Sequence, residues 1–336
     1  MRSARPILAL VAMVACHGDD SGAPATEDPR CAFSFAILTD THIGEGVQDY
    51  GTPGWDDSWS EDTESDSEAV LAQAVADINL LAEEPDGPSF VVVLGDITDS
   101  GERSELERAL YLLNELEIPY LPLVGNHDVW PYAYDEAAGL HAEADTPVGD
   151  RWLYYVFFEA FDDAHELVGA IHNSPPVKHL SIDAKTHFLD YAFTYCGVRF
   201  VALDTSTRAH AGGGEPGIGP EAKLYQKPDS PWPWLIEELG TGWGAEDDDV
   251  VILAHHPFTQ GSLLAFDEED FATIEADLGQ HGLEDRVMAF FGGHQHVDAE
   301  LEGPTGIPVV LTAATKDGRD PRVVRVSKQG ELDWDE

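Results

Sequence analysis

Five short apolar runs in this chain each end abruptly in a cluster of Asp, Asn or His, and that repetition restricts the fold more than any other feature. Phe33 to Leu38 leads to Asp40 and His42, Phe90 to Leu94 leads to Gly95-Asp96, and Tyr120 to Val124 leads to Gly125-Asn126-His127-Asp128. Val250 to Leu253 leads to His255-His256, and Val287 to Phe291 leads to Gly292-Gly293-His294-Gln295-His296. Short runs rich in β-branched and aromatic side chains, bounded by turn residues, are the pattern of buried strands. Ligand sites of open α/β sheets lie beyond the carboxyl ends of the strands, and all five clusters occupy that position. The expectation is an α/β fold with one composite site assembled from five strand ends.

Between these runs the period changes. Glu68 to Glu83 places Leu71, Ala74, Val75, Ile78 and Leu81 on one helical face. Ser104-Glu105-Leu106-Glu107 fits a capping box opening a helix to Leu116, with Leu106, Ala109, Leu110 and Leu113 turned inward. Further strands are expected at Arg199 to Leu203, Val309 to Thr312 and Val323 to Val326. Three stretches read as loops: Glu45 to Ser67, Pro131 to Asp150, and Ala211 to Pro233. No internal repeat is present, and 336 residues are within the reach of one large α/β domain.

Charge excludes whole classes of partner. The chain carries 64 acidic residues against 18 basic ones, a formal net charge of -46. Such a surface disfavours DNA or RNA, which needs Lys and Arg against phosphates. It equally disfavours docking on anionic lipid. Most of these acids are expected to form a solvated face, with a few at the strand ends serving metals.

The first residues read as an export signal spanning 1–15. Arg2 and Arg5 precede an apolar run from Ile7 to Ala15, too short to cross a bilayer. Met13-Val14-Ala15-Cys16 resembles a bacterial lipobox, in which the cysteine is lipidated. Met at the first lipobox position departs from the usual Leu, so secretion into the periplasm or medium stays open beside a lipoprotein on the cell envelope. Residues 16–31 have the composition of a flexible tether, leaving 32–336 as the folded domain. Cys31 and Cys196 remain, and export permits a disulfide between them without establishing one.

Taken as chemistry, the clusters collect ligand-type side chains. Asp40-Thr41-His42 carries two at i and i+2, which an extended strand end or a turn can direct to one side. Asp96 follows a very apolar run, where a buried carboxylate demands a partner. Asn126, His127 and Asp128 crowd a strand end behind a glycine that permits a tight turn. Six of the 14 histidines fall in the five clusters. One strand-end histidine is ordinarily structural; this combination points to metal.

The ordered set Asp40-Thr41-His42, Gly95-Asp96-Ile97-Thr98-Asp99, Gly125-Asn126-His127-Asp128, His255-His256-Pro257 and Gly293-His294-Gln295-His296 resembles the calcineurin-like metallophosphoesterase superfamily. The resemblance spans about residues 33 to 300. It implies a four-layer α/β/β/α sandwich of two mixed sheets. It also implies two transition metal ions, one held by Asp40, His42, Asp96 and His296 and the other by Asp96, Asn126, His255 and His294. Carboxylate and imidazole donors suit Fe, Mn, Zn or Co alike. A hydroxide bridging the metals would attack phosphorus in line, with His127 protonating the leaving oxygen or holding a phosphate oxygen. Asp128 is then the candidate to orient His127. His256 follows its ligand, His255, and faces either the pocket or outward in a structural role.

Departures from subfamily patterns narrow the substrate. Asp99 stands where purple acid phosphatases carry a tyrosine ligand, which disfavours a tyrosinate–iron site. About 40 residues follow His296, fewer than the C-terminal substrate domain of the superfamily's nucleotidases would need. Ser100-Gly101 and Asp128 replace the Arg and Glu usual in its protein phosphatases. A small phosphomonoester or phosphodiester fits best by elimination, with Trp130, Tyr132 and Trp232 as aromatic residues that could contact it. The alternative is a protein of the same fold that binds a phosphorylated ligand without turnover. All seven expected ligands are present, which favours catalysis.

Overall fold

A computed structural model describes residues 30–45, 65–99, 101, 103–129, 164–174, 177–178, 185–186, 188–206, 222–224, 231–240, 249–259 and 266–334. The expected export signal, Cys16, Trp130, Tyr132 and most of the three long loops lie outside these residues. Among the described residues no helix is long and apolar enough to cross a membrane.

The five apolar runs all become strands, within two residues of where the sequence puts them. They are β1 (Phe33–Leu38), β2 (Val91–Val93), β3 (Tyr120–Pro122), β9 (Asp249–Ala254) and β10 (Val287–Gly292). The three further expected strands are β8 (Val198–Leu203), β12 (Pro308–Leu311) and β13 (Arg322–Val326). β4 (His172–Asn173), β7 (Tyr191–Tyr195), β11 (Ala299–Glu302) and β14 (Leu332–Trp334) complete two mixed sheets. β5 (Val177–Lys178) and β6 (Lys185–Thr186) form a separate short ribbon.

One sheet has the order β14-β13-β1-β2-β3 and the other β11-β12-β10-β9-β8-β7-β4. β1, β2 and β3 are mutually parallel, as are β8, β9, β10 and β12. Parallel pairing brings the carboxyl ends of each group to one edge, and this gathers the polar clusters.

Alternation along the strands separates two cores. Phe200 and Ala202 of β8 join a core shared with β1, where Phe35 meets Phe200 and Phe291 edge-on at 5.3 and 5.9 Å. Val201, Leu203, Val250 and Ile252 point the other way, onto Trp232, Leu235, Ile274 and Leu278. Those four belong to α4 (Pro231–Gly240) and α5 (Glu268–Gln280). α1 (Asp66–Ala82) and α2 (Arg103–Leu113) bury Leu71, Val75, Ile78, Leu106, Ala109 and Leu113 against the first core, and α3 is the single turn Asn126–Val129 after β3. This helix–sheet–sheet–helix packing is in keeping with the expected layering.

Three local readings need correction. Leu81 is 39% exposed because the last turn of α1 carries Leu80 and Leu81 into solvent. α2 starts at Arg103, so Ser104 lies within its first turn rather than capping it. The stretch ending at Pro233 is not all loop, since α4 begins at Pro231. Proline is tolerated in a first helical turn, where backbone N–H groups have no intrahelical acceptor. Trp232 is consequently a core residue, buried with its indole N–H donating to Asp277 at 2.8 Å, and cannot touch a substrate.

Cys31 and Cys196 are disulfide-bonded. The bond joins the start of β1 to the turn between β7 and β8, across the two sheets. Arg30 pairs with Asp249 at the start of β9 at 2.6 Å. Both links lie at the amino ends of the strands, the pole opposite the polar clusters.

Candidate metal centre

At the carboxyl edge the five clusters converge. Asp40, His42, Asp96, Asn126 and His255 are each buried to within 2% of complete, while the His296 side chain is 31% exposed. Donor atoms of Asp40, His42 and His296 all lie within 4.8 Å of one another, and so do those of Asp40, Asp96 and His255. His296 Nε2 is 3.2 Å from Asp40 Oδ1. His42 Nε2 stands 4.0 Å from the same oxygen and 3.8 Å from Asp96 Oδ2. On the other side, His255 Nε2 is 3.0 Å from Asp96 Oδ2, 3.1 Å from Asn126 Oδ1 and 3.2 Å from His294 Nδ1. All seven sequence-predicted ligands thus face one volume.

The ligand positions are held by unusual backbone. Asp40 and His42 are not extended; both occupy the left-handed region, with φ of 51° and 42°. Gly125 is not there for a left-handed turn either. A Cβ at Gly125 would stand 2.2 Å from Asp96 N and Oδ1, so the glycine lets β3 approach the Asp96 carboxylate. Gly293 does the same for Asp40, whose Oδ2 would be 2.5 Å from an added Cβ.

Nearby hydrogen bonds orient the rings. His42 Nδ1 sits 3.0 Å from Asp99 Oδ1, and His255 Nδ1 donates to the Leu94 carbonyl at 2.8 Å. His127 Nδ1 donates to the Asp99 carbonyl at 2.5 Å, its backbone N–H donates to Asp96 Oδ1 at 2.8 Å, and its ring is 4.4 Å from that of His42. Asp128 has different work from that expected of it. Its Oδ1 accepts from Ile97 N, Thr98 N and Thr98 Oγ1, and its Oδ2 accepts from Gly125 N. Asp128 therefore ties the β2 and β3 turns together, and Asp99 holds His127. In the sequence Asp99 closes the Gly95–Asp99 motif and marks the place of an absent tyrosine, with no sign of this supporting role. Lys316 was not visible at all: its N–H donates to the Asp40 carbonyl and its ammonium pairs with Glu45. It lies 20 residues beyond His296, so only the fold brings it near.

Electrostatics agree with a cation site. Burial works to raise the carboxyls of Asp40 and Asp96, yet the neighbouring histidines outweigh it. His296 and His255 hold Asp40 below its ordinary value, and His255, His127 and His42 hold Asp96 well below. Burial opposes charge on His255, but the Asp96 carboxylate pushes it up to about 9. Burial, and then Asp96, push Asp128 up to about 6 against its four hydrogen bonds. Burial and the adjoining His294 and His255 keep His256 well below the imidazole range, hence uncharged. Two buried carboxylates here require positive charge. His42 Nε2, buried without a hydrogen-bond partner and about two metal–ligand bond lengths from each carboxylate, shows where an ion fits.

Comparison with known proteins agrees with this geometry. The family model for calcineurin-like phosphoesterases matches residues 33–298. The chain belongs to that family and is a metal-dependent phosphoesterase. No curated protein matches the chain. Among solved structures, a dimetal phosphatase from Danio rerio is 12% identical with a TM-score of 0.45, covering 90% of this chain and 98% of that one. A purple acid phosphatase from yellow lupin is 11% identical with a TM-score of 0.46, covering 91% of this chain and 53% of that one. A 5'-nucleotidase from Candida albicans is 11% identical with a TM-score of 0.45, covering 90% and 51%. The chain spans about half the length of the latter two.

Proposed function

We propose that the chain hydrolyses a small phosphate ester, a phosphomonoester or phosphodiester, at a centre of two metal ions. One position would take Asp40, His42, Asp96 and His296, and the other Asp96, Asn126, His255 and His294. The observation that carries this reading is Asp96, whose Oδ2 lies 3.8 Å from His42 Nε2 and 3.0 Å from His255 Nε2. One carboxylate thus addresses an imidazole from each set. Two bound cations would neutralise phosphate charge and lower the pKa of water enough to supply a nucleophile near neutral pH.

The chain's own residues divide the remaining work. His127 is partly exposed beside the donors, and its Nδ1–H is committed to the Asp99 carbonyl. Nε2 can therefore release a proton to a leaving oxygen only from the imidazolium form. Asp99 fixes both His127 and His42, so the acid and one metal position share a support. Export, with lipid on Cys16 or free secretion, is part of the proposal. The Cys31–Cys196 disulfide is in keeping with an oxidising compartment.

Elemental analysis and turnover of nitrophenyl mono- and diesters, with Mn, Zn and Fe supplied in turn, test the reading. Wild type should take up two ions per chain and turn over at least one ester. Asp96→Asn should lose occupancy at both positions and all turnover. Equal metal content in the two proteins would remove the shared-carboxylate assignment.

A further inference from the structure

His256 has no place among the seven expected ligands, yet it is wholly buried against them. Its ring lies 5.0 Å from that of His255 and 4.7 Å from that of His294. One ring nitrogen from each of these three residues falls within 4.8 Å of the others. Nδ1 is 3.2 Å from Thr205 Oγ1, and Nε2 is buried without a hydrogen-bond partner. A native structure seldom leaves such an atom unmatched, so a partner is expected when the site is loaded.

The hydroxyl identifies that partner. Thr205 is buried, and among the described residues His256 Nδ1 is the group its Oγ1 meets. A buried hydroxyl gives up its proton to an acceptor where one is in reach, so Nδ1 accepts and the ring hydrogen sits on Nε2. Two of the ligand histidines, His42 and His255, have the opposite arrangement. Nδ1 of His42 faces a carboxylate and Nδ1 of His255 faces a backbone carbonyl. Those groups only accept, which leaves the Nε2 lone pair for a metal. His256 instead presents an N–H, which cannot coordinate a cation and suits an anionic oxygen. Thr205 is itself fixed: Asp204 N–H donates to Asp190 Oδ1, Ser206 N–H to Asp204 Oδ1, and Lys223 N–H to the Thr205 carbonyl.

We propose that His256 is an anion-binding residue of the site, its Nε2–H donating to a phosphate oxygen lodged beside His255 and His294. The assignment rests on the phosphoesterase reading. It is tested on the metal-loaded full chain with inorganic phosphate as the probe, by calorimetry and by inhibition of ester turnover. His256→Ala should keep the wild-type metal content and bind phosphate about ten- to a hundredfold more weakly, the worth of one hydrogen bond to a charged group. Thr205→Val, which only exchanges a hydroxyl for a methyl, should lose affinity in the same direction, and Thr205→Ser should restore it. Thr205→Val also carries the test if His256→Ala does not fold. Unchanged phosphate binding in these variants, or loss of an ion from His256→Ala, overturns the assignment. A wild-type protein that binds metal but neither phosphate nor esters refutes the phosphoesterase reading and His256 with it. Wild-type binding and turnover matched by the variants refutes His256 alone.

Discussion

A single methyl group at Gly125 should disable the metal centre without replacing a ligand. The Cβ of alanine there would stand 2.2 Å from the Asp96 backbone nitrogen and 2.2 Å from Asp96 Oδ1. Real Cβ atoms essentially never approach closer than 3.0 Å, so Asp96 or the β3 turn must shift by roughly 0.8 Å. No rotamer avoids this, because one of the two atoms belongs to the backbone. Metal–ligand distances tolerate only about 0.2 Å, so the carboxylate leaves coordination range. Gly125→Ala should therefore lower metal content and reduce turnover at least about a hundredfold, as a misplacement near 1 Å does. Overpacking should also destabilise the fold by about 1–3 kcal/mol. Gly240→Ala is the control: its Cβ would meet nothing within 4 Å, at an ordinary φ at the end of α4. Elemental analysis, thermal denaturation and ester turnover on the three proteins give the comparison. Full metal content with unchanged kcat/KM in Gly125→Ala would refute the close-approach argument.

Other perturbations separate the roles around the centre. His127→Ala should retain both ions and lose about 10²–10⁴-fold in kcat, more on alkyl esters than on nitrophenyl esters; loss of an ion would make His127 a ligand instead. Asp99→Ala should weaken metal binding about 10- to 100-fold by releasing His42, read by chelator competition, and unchanged binding would show that the Asp99 carboxylate does not orient His42. Cys16→Ser should free the protein from membranes in a fractionation, and a soluble wild type would end the lipid proposal.

The sequence disclosed most where hydrophobicity and chemistry coincided. The apolar runs before Asp40, Asp96, Asn126, His255 and His294 are buried on both faces, so their type could be read without tertiary information. β7 and β11 escaped because their pairing, not their composition, makes them strands: Tyr191–Tyr195 mixes Thr and Ala into its aromatics, and Ala299–Glu302 carries two glutamates on a sheet edge. α4 was hidden by Pro231 and Pro233, residues that read as breakers unless the first turn is known to begin there. At the site, ligand types were legible because few residue types bind metal. Supporting roles were not, since Asp99 and Asp128 both stand beside His127, and only the fold shows that the Asp99 backbone carbonyl, rather than either carboxylate, accepts from its ring. The N–H on His256 was equally unreadable, because it depends on Thr205, 51 residues earlier in the chain.

The backbone at the centre shows what holds these ligands in register. Asp40, His42, Asp96, His294 and His296 all have positive φ, from 42° to 68°, a conformation that is unfavourable for residues with a Cβ. The strain persists because the sheet ladder does not stop where β1 and β2 end. Leu94 N–H donates to the Leu38 carbonyl, Asp40 N–H to Gly95, His42 N–H to Asp96 and Ile43 N–H to Ile97. Across the site, Gly293 N–H donates to the His255 carbonyl and His294 N–H to Asp40 Oδ2. Hydrogen bonds thus pin Asp40, His42, Asp96 and His294 to the neighbouring segment, His296 Nε2 faces Asp40 Oδ1 at 3.2 Å, and the strands are stapled together at the far pole by Cys31–Cys196. Residue choice follows from the same constraint. Asp, Asn and His are the non-glycine residues that best tolerate left-handed backbone, and they are also oxygen and nitrogen donors for a transition metal. Glycine at these five positions would relax the backbone and remove the donor, so the strain is a consequence of placing metal ligands in turns this tight.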